Sequence, residues 1–100
     1  MSAPTIRSDY DQLRSMAQAF RAQSENIQKQ AQQLRSDMDT LQGGDWEGKG
    51  AQAFYREMGD TVMPTMQRLQ RALAEASRIT QQISQVMKAA EDEASSCFHV

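Results

Sequence analysis

Ile6, Leu13, Phe20, Ile27, Leu34 and Leu41 stand seven residues apart, and Tyr10, Ala17, Ser24, Ala31 and Met38 fill the alternate places. Steps of three and four without exception make one stripe on a helix, fit to pack along a second helix. No glycine or proline interrupts Thr5 to Gln42. At about 1.5 Å per residue that stretch is a rod of roughly 57 Å. Gly43 and Gly44 follow the last stripe residue, where glycine ends helices.

The second half repeats the device. Val62, Met66, Leu69, Leu73, Ala76, Thr80, Ile83, Met87, Ala90 and Ala94 keep the same rhythm, and Phe54, Tyr55 and Met58 begin the apolar face upstream. Ala72, Ile79 and Val86 form a flanking row that widens it. Pro64 cannot donate to the carbonyl of Asp60, so a kink or break is expected between Gly59 and Pro64. The chain therefore reads as all-α and as one domain, residues 1–100. Helix one covers about 5–42, a turn 43–48, helix two about 49–94, and a tail 95–100.

A single helical hairpin buries too little. Ordering the backbone costs roughly 1–2 kcal/mol per residue, and one seam leaves the wide face of helix two in water. A second hairpin removes the problem by completing an antiparallel four-helix bundle, most simply as a two-fold dimer. Val62, Met66, Leu69, Leu73, Ile79 and Ile83 are the expected interface.

Composition excludes several classes of function. The 100 residues carry a net charge of −2. Basic residues are scattered, with no strip for nucleic acid and no aromatic interleaving for base stacking. No stretch is apolar enough to cross a bilayer, and the N-terminus lacks the apolar core of a cleavable signal. Cys97 is the only cysteine and His99 the only histidine. Neither a disulfide, nor a metal site, nor a catalytic triad can be assembled from them. The Gly-Lys pair in "GGDWEGKG" lacks the strand and the Ser/Thr of a phosphate loop. We expect no enzyme, no cofactor, no nucleic-acid partner and no membrane insertion.

The same eight residues hold the only tryptophan, Trp46, among four glycines. Gly43 and Gly44 suit positive φ, Asp45 suits a helix cap, and Gly48 and Gly50 would let helix two approach helix one closely. Trp46 would then plug the end of the hairpin, or stay half exposed for another protein to read. With this turn centred between heptad helices, the chain resembles the WXG-type Esx proteins, small substrates of bacterial type VII secretion. Trp46 and Gly48 match the motif pair. Gly50, Ala53 and Phe54 fall where such proteins often place a small residue, a small residue and an aromatic.

The resemblance implies more. Many members end in a secretion signal with a tyrosine or other hydrophobic residue four places before an acid, then further hydrophobic residues on the same face. Met87 and Glu91 fit that spacing, and Ala94 and Phe98 continue it, with methionine standing where tyrosine is usual. The acids Glu91, Asp92 and Glu93 lie at a helix end where the macrodipole disfavours them. The implied protein folds in the bacterial cytoplasm as a homodimer, or with a related Esx-type partner. It is recognised by the membrane secretion ATPase and leaves the cell without a cleavable signal. Trp46 of one subunit would neighbour the Met87–Phe98 segment of the other. The competing reading is an intracellular helical adaptor.

Overall fold

The computed structural model describes residues 4–97. Helix α1 covers Pro4–Gln42, α2 Lys49–Glu57 and α3 Met63–Cys97, with a five-residue π-helical turn, Met58–Val62, joining α2 to α3. The protein is all-α, helix–turn–helix in topology. It divides into two compact units. One holds the residues up to Ala22 together with those from Leu73 on. The other holds Gln23–Ala72, with the turn.

The stripe of α1 is the buried one. Tyr10, Ala17 and Ser24 are buried, and Leu13, Phe20, Ile27, Leu34 and Met38 are half-buried between them. Leu41, the last of the series, is exposed.

Helix α3 departs from the expected seam. Its inward residues are Met63, Met66, Gln70, Leu73, Ala76, Ser77, Thr80, Ser84 and Glu91. Leu69, Ile83 and Met87 are 47%, 47% and 45% exposed. The inward row thus keeps Met66, Leu73, Ala76 and Thr80 of the expected seam and adds Met63, Gln70, Ser77 and Ser84, so it mixes apolar with polar residues. Gln70, Ser77 and Thr80 each have a partner. In the unit with the turn, the Ser24 hydroxyl donates to the Gln70 carbonyl at 3.0 Å, and the Gln70 amide donates back to that hydroxyl at 3.1 Å. In the unit with the chain ends, the Ser77 hydroxyl donates to the Ala17 carbonyl at 2.8 Å. Small side chains at Ala17 and Ser77 leave room for that bond. A buried hydroxyl so paired does not carry the desolvation penalty of an orphan.

The π-turn explains the shift. The amide of Met63 donates to the carbonyl of Met58, five residues back. Pro64 follows at once. Its ring would press on the carbonyl of Asp60 and it has no N–H to offer. A widened turn relieves both demands, and Gly59 makes it easier. Where the sequence marked a break, the helix continues with one residue more per turn.

Candidate functional site

The turn between α1 and α2 differs in detail from the sequence expectation. Gly43 donates to the carbonyl of Asp39 at 3.0 Å and Gly44 to that of Leu41 at 3.2 Å, closing α1. Neither has positive φ. Gly48 alone does, at φ 108° and ψ 179°. Only glycine adopts that region without strain. Gly48 is also the N-cap of α2, and no side chain caps it, so Asp45 does not perform the role its type suggested. The reason is spacing: α2 begins at Lys49, and Asp45 stands three residues too early to cap it. Nor do Gly48 and Gly50 mark a close approach of helices. A Cβ at either would meet nothing within 4 Å. Gly48 is there for its backbone angle.

That angle reverses the chain so that Trp46 folds onto the first turns of α2. Its ring meets Phe54 edge-on at 5.3 Å between centroids and Tyr55 at 5.4 Å, and those two rings meet each other at 5.9 Å. Such edge-to-face pairs are worth about 0.5–1.5 kcal/mol each beyond area burial. The Tyr55 hydroxyl donates to the Trp46 carbonyl at 3.4 Å, a long bond. Trp46 stays 43% exposed and Phe54 40%. The three rings pack edge-on, with Trp46 and Phe54 open to solvent and Tyr55 half-buried, and form an apolar patch. Ala53 and Gly50 on α2 are exposed as well.

The candidate signal lies on the last turns of α3, in the other unit. Met87 and Ala94 are exposed. Phe98 lies outside the described residues, as does His99. Glu91 is not a free surface acid. Its carboxylate accepts the hydroxyl proton of Tyr10 at 2.6 Å, from the opposite end of the sequence. That bond and the neighbouring negative charge push the Tyr10 hydroxyl up to about 12. Sequence reasoning placed Tyr10 on the stripe of α1 but missed its partner, because Glu91 reaches the inward row only in the shifted register of α3.

The expected interface residues separate in the same way. Met66 and Leu73 stand in the inward row. Leu69, Ile79 and Ile83 stand outward with Ala72, Val86 and Ala90, and Val62 is half-buried beside them. Val86 is 62% exposed. The opposite flank of α3 is polar. It borders an open groove in each unit, one lined by Arg14, Gln18, Gln85 and Lys88, the other by Gln28, Gln32, Arg35 and Arg71. An apolar outer row on one side and an amide and cation row on the other make α3 strongly two-faced. Among the described residues, no helix is long and apolar enough to cross a membrane, and no three metal-ligating side chains cluster.

Comparison with known proteins supplies one match. The sequence model of the family described as "WXG100: Proteins of 100 residues with WXG" matches residues 5–92. No curated protein and no solved structure matches the chain. The matched stretch takes in the first stripe, the turn with Trp46 and Gly48, the second stripe as far as Ala90, and the Met87–Glu91 pair.

Proposed function

The chain belongs to the WXG100 family, and we propose that it is a type VII secretion substrate that folds in the bacterial cytoplasm and is exported as a folded two-fold dimer. Proteins of this family are small helical proteins associated with type VII secretion and generally pair as dimers. For this chain the observation that carries the proposal is the outward row of α3. Leu69, Ile79, Ile83 and Val86 are between 42% and 62% exposed in the single chain. Apolar side chains left open to that extent in each unit need a cover. In the unit with the chain ends, the steps of four and three from Ile79 to Ile83 to Val86 suit another helix of the same kind.

The export machinery, a membrane ATPase, would read two features of the assembled pair. One is the aromatic patch with Trp46 and Gly48. The other is the segment Met87, Glu91, Ala94 and Phe98 contributed by the second subunit. Rigidity supports the first, since Trp46 is held by two rings and a glycine hinge and loses little freedom on docking.

Two measurements test this reading. Light scattering on the purified chain should give the mass of two copies, and Ile79→Glu with Ile83→Glu should give one copy with helicity retained. Wild-type protein should appear in the culture supernatant of its host and vanish from it when the type VII system is deleted. Trp46→Ala should fold, pair and stay in the cell. Export that continues without the system, or a wild-type chain that is monomeric at micromolar concentration, overturns the proposal.

A further inference from the structure

In the unit with the chain ends, the last turns of α3 collect acids and offer them no base. No lysine or arginine follows Lys88 in the helix. Among the described residues, none of Glu91, Asp92 and Glu93 makes an ion pair. Glu91 is half-buried, while Met87 four places before it and Ala94 three places after it are exposed. The partner of the Glu91 carboxylate is the Tyr10 hydroxyl, which donates to it at 2.6 Å from a buried side chain on the stripe of α1. A carboxylate drawn partly out of water needs such a donor. A lysine or arginine would meet that need and cancel the charge. A phenol meets it and leaves the charge whole.

The bond is short, as hydroxyl bonds to an ionised carboxylate are. It uses one of about four acceptor positions on the two oxygens, so the others stay open to a second group. The buried Tyr10 ring fixes the donor, and the donor fixes the carboxylate, which no longer swings on its stem. We propose that Tyr10 is a positioning residue for the end of α3, holding Glu91 as an oriented, un-neutralised negative charge between Met87 and Ala94 for a basic surface of the protein that reads this segment. The reader is basic because a cation is what gains from a carboxylate left whole beside Asp92 and Glu93. It has an apolar part because Met87 stands open next to the charge. A charge already held in place loses little freedom on docking. That the reader belongs to the export machinery rests on the function proposed above. The hold of Tyr10 on Glu91 rests on the geometry of one chain.

The test uses the full chain and two single changes. Tyr10→Phe removes one oxygen and keeps the ring in the stripe. Glu91→Gln keeps an acceptor for the Tyr10 hydroxyl and removes the charge. In Tyr10→Phe, amide exchange over residues 88–94 should quicken about tenfold, with no change in the unit that holds the turn. In Glu91→Gln, exchange over the same residues should stay within about twofold of wild type. Release into the culture supernatant should fall about tenfold in both. Carbon resonance of the Glu91 carboxyl supplies a signature that plain loss of packing would not move. It should step as Tyr10 loses its proton near a pH of about 12, and the step should be absent from Tyr10→Phe. A Tyr10→Phe chain with wild-type exchange in 88–94, or with wild-type export, overturns the positioning role. So does a Glu91 resonance blind to Tyr10 in the wild-type chain. Wild-type export of Glu91→Gln overturns the basic reader. If wild type leaves the cell without the type VII system while exchange and resonance behave as expected, the function proposed above fails, and the hold of Tyr10 on Glu91 stands.

Discussion

At the scale of single residues, Tyr10 and Gly48 carry the sharpest consequences. The Tyr10 hydroxyl is raised to about 12 chiefly by its bond to Glu91, then by loss of water and by the charges of Glu91 and Asp92. A phenol that holds its proton more tightly when folded stabilises the fold fully below about 10, its usual value. That contribution disappears as pH climbs from about 10 to 12. Tyr10→Phe should remove this part of the alkaline loss of stability. The phenolate absorbance of wild type minus Tyr10→Phe should titrate near 12, and Glu91→Gln should bring it down. Gly48→Ala meets no neighbour, yet must hold a backbone angle reserved for glycine. It should cost about 1–3 kcal/mol in thermal or denaturant unfolding while leaving the helices otherwise unchanged. The resemblance pointed to Gly48 through its motif. Its physical task was not legible, because Gly43, Gly44, Gly48 and Gly50 look alike in sequence and only one of them bears the turn's positive φ.

At the scale of elements, α1 was legible and α3 only half so. The stripe of α1 is regular because nothing interrupts the helix, so a period in sequence becomes a face in space. Ala17, fully buried, sits on that stripe opposite the Ser77 hydroxyl. Ala17→Leu should force the two helix segments of that unit apart. We expect a loss of about 1–3 kcal/mol in chemical denaturation, the usual range for overpacking. The rhythm of α3 was equally regular in sequence, yet two adjacent rows both kept it. Gly59 and Pro64 marked where the helix would yield. They could not say whether it would break, bend or gain a residue, and that outcome decides which row faces inward. Ser77 and Gln70 illustrate the cost of the ambiguity. Neither belongs to the apolar rows of the sequence, yet both bond across the seam. The Tyr10–Glu91 bond was hidden for the same reason.

At the scale of the whole molecule, what distinguishes the chain is its distribution of methionines between covered and open positions. Met58 and Met63 are buried, whereas Met16 is 51% exposed and Met87 45%. Met16 lies on the flank of α1 that matches the outward row of α3 in heptad position. Thioethers open to solvent take up oxygen from peroxide readily, and the sulfoxide formed is polar. The four residues therefore amount to a graded chemical recorder. Brief peroxide treatment read by peptide mass should mark Met16 and Met87 first in dilute protein and Met58 and Met63 last. Raising the concentration should slow oxidation at Met16 as a second chain covers it. A chain taken from the culture medium would carry in its sulfoxides a trace of the state in which it met the oxidant, alone or paired.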